Sequence, residues 1–155
     1  MNKLMILAVA LLLNILWSSK ASALLFCSVS ASSIVAFGSF SPLTGSEVVS
    51  TGTITVTCNL LSSYTIALSH GGSGTYSPRR MADGSSHSLD YNLYRDAGYS
   101  QLWGDGTNGS SMATGSFLLG GSRNHTIYGR ILLSTQRTAV PGSYSDSITV
   151  TVTYL

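Results

Sequence analysis

Three histidines, many serines and six carboxylates are the side chains in this sequence that could carry out chemistry. A serine activated by a histidine, itself oriented by a carboxylate, would transfer acyl groups. Serines are so common here that such a set can be assembled on paper around His70, His87 or His125, and the spacing favours none of them. Gly71-Gly72-Ser73-Gly74 lacks the closing glycine of a Gly-x-Ser-x-Gly elbow. No His-x-x-x-His pair suggests zinc. Asp105-Gly106-Thr107-Asn108-Gly109 starts like a calcium loop, but it lacks the second acid and has Ser116 where the bidentate acid would fall. It reads as a tight glycine turn, and the histidines as strand-end or loop residues. Asn108-Gly109-Ser110 and Asn124-His125-Thr126 are sequons that matter only in a eukaryotic secretory pathway. No coherent site for catalysis, metal or cofactor can be nominated, so the expectation is a protein that is not an enzyme and takes no cofactor.

The cysteines carry one further chemistry, which depends on where the chain goes. Lys3 gives a positive start, residues 4–17 are apolar but for Asn14, and Ala21-Ser22-Ala23 is a small-x-small cleavage pattern. This reads as a secretory signal peptide, residues 1–23, cleaved between Ala23 and Leu24. The apolar run is too short for a membrane span, which needs about 20 residues. Phe26 is too bulky a neighbour for Cys27 to be a lipoprotein cysteine. In an exported chain, Cys27 and Cys58 read as one disulfide, worth roughly 3–4 kcal/mol in the chain-entropy model. Two free thiols, or half of a metal site, are the alternatives.

Removing residues 1–23 of 155 leaves 132, and takes both lysines, Lys3 and Lys20, with it. Six arginines then balance six acids. A nucleic-acid binder shows a basic stripe, and none is present. A near-neutral surface rich in Ser, Thr and Gly has little charge repulsion to keep copies apart, which suits a protein that associates.

The elements that must position these residues are strands. Val, Ile, Thr and Tyr fill the periodic stretches, and Gly, Ser, Asn and Asp punctuate them. Strands are predicted over 33–37, 51–59, 64–70, 88–94, 116–119, 124–133 and 143–154, with no convincing helix. In the second, Ile54, Val56 and Cys58 share the inward face; in the third, Tyr64, Ile66 and Leu68 do. Tyr91 and Leu93 alternate with Asn92 and Tyr94 as in a half-buried strand. Trp103 is expected as a core or loop anchor rather than a sugar platform, and Phe117-Leu118-Leu119 as core strand rather than surface loop. Pro141-Gly142 marks a turn before the last strand, which alternates Ile148, Val150, Val152 and Tyr154 with three threonines. Such a strand either pairs along both edges or leaves one open. The whole is expected to be one all-β domain, residues 24–155, an antiparallel sandwich of immunoglobulin type.

Seven blocks in order, CSVSASSIVAFGSFSPLTG (27–45), TGTITVTC (51–58), RRM (79–81), LDYNLYRD (89–96), LWGDG (102–106), YGRI (128–131) and VPGSYSDSITVTVTY (140–154), resemble the spore coat protein U domain family. That family includes the Csu-type pilins of archaic chaperone–usher systems. The resemblance runs from Cys27 to Leu155. It implies an incomplete immunoglobulin-like sandwich lacking its last strand. A periplasmic chaperone fills the groove with a strand of its own, and on assembly the N-terminal extension of another pilin subunit replaces it at the outer-membrane usher. The groove would be lined by Ile148, Val150, Val152 and Tyr154, and the family disulfide falls on Cys27 and Cys58. The implied function is a structural or adhesive subunit of a secreted fibre, passing from periplasm to cell surface. Physical chemistry agrees, because a sandwich missing a strand exposes unpaired backbone and apolar core that a donated strand covers.

One departure stands out. With cleavage after Ala23, only Leu24, Leu25 and Phe26 precede Cys27, against the roughly 10 residues a donated strand needs. The expectation is a chain that accepts a strand and passes none on, at a fibre tip or cap. A stand-alone spore or cell-surface coat protein is the alternative, and a carbohydrate-binding module, resting on Trp103 and the Gly/Ser loops, a third reading.

Overall fold

The structure is a computed structural model and describes residues 24–33, 35–38, 47–136 and 139–155. The signal segment, Ala23 included, lies outside the described residues. Eight strands form: β1 (Cys27–Ser33), β2 (Glu47–Cys58), β3 (Ser62–Leu68), β4 (Arg79–Ala82), β5 (Ser88–Tyr94), β6 (Ala113–Phe117), β7 (Gly121–Leu132) and β8 (Val150–Tyr154). Two single-turn 3-10 helices, Gly71–Ser73 and Leu133–Thr135, are the helical elements among the described residues. The strands pair antiparallel in two sheets, a five-stranded one in the order β1-β2-β7-β5-β4 and a three-stranded one in the order β6-β3-β8.

Period-two alternation sorts side chains between core and solvent. Ile54, Val56 and Cys58 of β2, Tyr64, Ile66 and Leu68 of β3, and Leu89, Tyr91 and Leu93 of β5 are all buried. Each fully buried aliphatic contributes about 1.5–3 kcal/mol. Trp103 joins them and donates its indole N–H to the Ile66 carbonyl at 3.0 Å, so it anchors a loop to the core as expected.

The first predicted strand is displaced. Strand pairing runs through the serine-rich Cys27–Ser33, where Cys27 lies opposite Cys58 and Val29 opposite Val56. Pairing with β2 overrides the weak strand propensity of serine. Val35 and Phe37 leave the ladder and pack over Gly129 of β7. A Cβ at Gly129 would lie 2.4 Å from Val35 Cγ1 and 2.8 Å from Phe37 Cζ. The third-to-last prediction also shifts: β6 covers Ala113–Phe117, and the chain turns at 118–120, leaving Leu118 and Leu119 82% and 93% exposed. The expectation that Phe117-Leu118-Leu119 is core strand holds for Phe117 alone. β4 was not predicted, and the last strand begins at Val150 rather than 143.

Candidate functional site

The histidines occupy three separate places. His70 is exposed and lies edge-on to Tyr76, and His87 pairs with the Asp83 carboxylate at 2.6 Å. His125 shares a hydrogen bond with the Tyr64 hydroxyl at 2.9 Å. Asp105 Oδ1 accepts bonds from the Thr107 backbone N–H at 2.9 Å and hydroxyl at 2.7 Å, which closes the glycine turn upon itself. Among the described residues, no group of three or more His, Cys, Asp or Glu could hold a metal ion, and no helix is long and apolar enough to cross a membrane. Cys27 and Cys58 are joined by a disulfide that staples β1 to β2 across directly opposed positions.

Burial and the nearby Arg123 cation hold the His125 imidazole below its ordinary value. The unfolded chain takes up a proton at this residue near pH 6.5, whereas the folded chain resists it to lower pH. The contribution is therefore complete above that value and is lost as pH falls through it. Urea midpoints are expected to drop between pH 7.5 and 5.5 in the wild type and to change less in His125→Gln, which keeps a partner for Tyr64. Equal drops in both would remove the assignment.

The feature that stands out is the outer edge of β8. β8 pairs with β3 through Tyr64–Tyr154, Ile66–Val152 and Leu68–Val150. On its other edge it has no strand neighbour among the described residues. Ser69 N–H donates to the Thr149 carbonyl at 3.0 Å and Leu155 N–H to the Ser63 carbonyl at 2.8 Å. The odd-numbered residues thus bond inward to β3, and by alternation Val150, Val152 and Tyr154 present their N–H and C=O groups along the free edge.

The side chains give the same result. Ile148, Val150, Val152 and Tyr154 face the core but stay half-buried, while Thr149, Thr151 and Thr153 are exposed. β6 lies toward the β5–β7 side, since Ala113 and Thr114 share a cleft with Arg95 and His125. β8, two strands away, therefore lies toward β2 and β1. There Val56 is 0% exposed, while Val29, its partner on the same face of β1, is 41% exposed. Among the described residues, nothing covers β1 where a fourth strand of the small sheet would lie. An apolar strip with an unpaired backbone beside it is, among the described residues, left open between β1 and β8.

The approach to β8 is fixed by a polar network that sequence reasoning missed. Asp146 accepts bonds from the Tyr91 hydroxyl at 2.7 Å and from Gly72 N–H at 3.0 Å. Burial, then this carboxylate, pushes the Tyr91 hydroxyl's pKa upward. Arg79 is wholly buried nearby, donating from Nε and Nη2 to the Ser69 carbonyl at 3.0 and 2.9 Å and from Nη2 to the Trp103 carbonyl at 2.7 Å. Upstream, the Leu24 carbonyl accepts a bond from Asn59 Nδ2 at 3.0 Å, and Phe26 N–H donates to Asn59 Oδ1 at 2.8 Å. Leu24 and Phe26 are thus tied to Asn59, just ahead of β1.

The profile of the Spore Coat Protein U domain matches residues 14–151. No curated protein matches the chain. Among solved structures, it is similar to one described as the crystal structure of a CsuC–CsuE chaperone–tip adhesion subunit pre-assembly complex from the archaic chaperone–usher Csu pili of Acinetobacter baumannii. The identity is 17% and the TM-score 0.59, with 83% of this chain covered and 40% of that chain. At this identity the likeness is one of fold, and the chain spans well under half the length of that relative.

Proposed function

We propose that this chain, which belongs to the Spore Coat Protein U domain family, is a structural subunit of an exported surface fibre that is completed by a strand from a partner. The free edge of β8, beside half-buried Val150, Val152 and Tyr154 and the uncovered Val29, carries this reading. A donated strand would satisfy the unpaired backbone and set alternate side chains into the strip. In the periplasm the donor would be a chaperone, in keeping with a fold shared with a chaperone-bound pilus subunit. In the fibre it would be a neighbouring subunit placed by an outer-membrane usher. Cleavage between Ala23 and Leu24 would leave a start already held by Asn59, which supports a terminal, receiving position.

The test is thermal unfolding of the full exported chain with and without excess of an 11-residue peptide that alternates apolar and polar residues. Binding to the folded state alone should raise Tm by about 5 °C or more at a hundredfold excess over Kd. A chain that unfolds reversibly at an unchanged temperature favours the self-sufficient coat protein instead. N-terminal sequencing that begins well upstream of Leu24 would remove the terminal position.

A further inference from the structure

A second gap lies across the sandwich from β8, where β5 leaves β7. The two strands pair only through Asn92–Arg130, Leu93–Gly129 and Tyr94–Tyr128. The Leu93 carbonyl accepts instead from Trp103 N–H at 2.9 Å, so Leu93 turns its backbone away from β7. Tyr128 and Arg130 are then the β7 residues bonded toward β5. By alternation Asn124 and Thr126 present N–H and C=O on that same edge, with no strand beside them among the described residues. The edge opens into a cleft of about 340 Å³ lined by Arg95, Gln101, Thr114, Asn124, Thr126 and Tyr128, over a floor that includes Trp103 and His125.

The walls are already fixed. Arg95 donates from Nη1 to the Met112 carbonyl at 2.8 Å and from Nη2 to Gln101 Oε1. Asn124 Oδ1 accepts from the Thr55 hydroxyl at 2.9 Å, and His125 is held by Tyr64. The groups left for a ligand are the amide N–H of Gln101 and Asn124, the hydroxyls of Thr114, Thr126 and Tyr128, and the free edge of β7. No carboxylate lines the cleft, and both terminal nitrogens of its one cation are engaged.

We propose that this cleft binds a neutral saccharide. Hydroxyls that both donate and accept, alongside amide donors and one half-buried tyrosine ring, complement a polyol with one apolar ring face. An added peptide strand needs apolar pockets for alternate side chains, and this cleft is walled by polar groups. A lipid or other apolar ligand finds little to bury here. The volume suits one or two sugar rings. The buried Trp103 is not the platform; the exposed polar groups around it are the recognition surface. The assignment is independent of strand capture, because β6 and this part of β7 lie on the side away from β8.

The test is saturation-transfer NMR on the full exported chain, with any co-purifying protein retained. Probes are the methyl glycosides of glucose, galactose, mannose and N-acetylglucosamine, with methyl glucuronide as the acidic control. At least one neutral glycoside should bind with Kd in the millimolar range, about 1–10 mM. Thr114→Val, which removes one hydroxyl and keeps the strand, should weaken it roughly tenfold. Thr126→Trp, which fills the cleft from an exposed strand position, should abolish it, and circular dichroism should show both variants folded. The assignment fails if no neutral glycoside binds at about 50 mM, if the glucuronide binds better, or if Thr126→Trp binds as the wild type does. Binding of the alternating peptide that Thr126→Trp blocks would make the β7 edge a peptide site instead.

Discussion

Aspartate in place of Val152 is expected to abolish strand capture while leaving the unpartnered domain folded. Val152 sits at the middle of β8 opposite Ile66, which is fully buried. In the unpartnered chain Val152 is half-buried, so a carboxylate there keeps part of its hydration and costs little beyond the lost packing. A captured strand would close over it. The carboxylate would then be taken out of water with no cation beside it on β8 or on the facing β1, at a cost of several kcal/mol. A loss of about 4 kcal/mol weakens binding roughly a thousandfold. Thr151→Asp is the control, because Thr151 is exposed on the opposite face; there the charge stays in water and capture should change by less than about threefold. The measurement is the peptide-induced rise in Tm for the wild type and both variants. Equal rises for Val152→Asp and wild type would move the acceptor surface off this face of β8.

Much of this fold is legible because its core strands alternate strictly. Ile54, Val56 and Cys58, or Tyr64, Ile66 and Leu68, can be assigned inward from the sequence, since one face of each strand is dry and the other wet. The inward set of the last strand is legible for the same reason, and the cysteine pairing because an exported chain with two cysteines joins them. Where prediction fails, long-range partners decide. Serines of 27–33 become a strand because β2 lies beside them, while Val35 and Phe37, from a stretch that looks more like a strand, contribute packing over Gly129. Nothing in the local sequence marks Arg79 for burial, yet it is in the core because Ser69 and Trp103 turn carbonyls toward it. Residues 143–149 alternate like strand, but Ser145 bridges Ala82 of β4 and Asp146 ties the chain to Tyr91 and Gly72, so the continuous strand beside β3 starts only at Val150. That β8 has a free edge is a property of sheet order. No local pattern encodes which strand ends a sheet, and only the resemblance pointed to it.

Arg79→Ala is expected to destabilise the domain by about 4 kcal/mol. Three consequences add. The Ser69 and Trp103 carbonyls lose their donors in a buried setting, each costing roughly 1–3 kcal/mol. The truncated stem leaves a cavity under Tyr76, whose ring the guanidinium approaches at 5.2 Å. Asp146 loses the nearby positive charge that offsets its own. Arg79→Met separates these terms: it fills most of the volume but supplies no donor, so it should cost less than alanine and still well over 1 kcal/mol. Adding Asp146→Asn to Arg79→Met should be less damaging than the sum of the two, because the amide needs no counter-charge. The readout is urea unfolding with the m-value held constant. A cost under about 1 kcal/mol for Arg79→Ala would mean that solvent replaces the guanidinium without penalty, contrary to its complete burial. The same variants bear on function through Asp146. Its bonds to Tyr91 and Gly72 fix where the chain enters β8, two residues before Ile148. Loosening that anchor lets the free edge wander and raises the ordering cost of capture. Arg79→Met should therefore weaken peptide binding severalfold although Arg79 does not lie on β8, whereas Thr114→Val, an exposed position on β6, two strands from β8 in the small sheet, should leave that affinity unchanged.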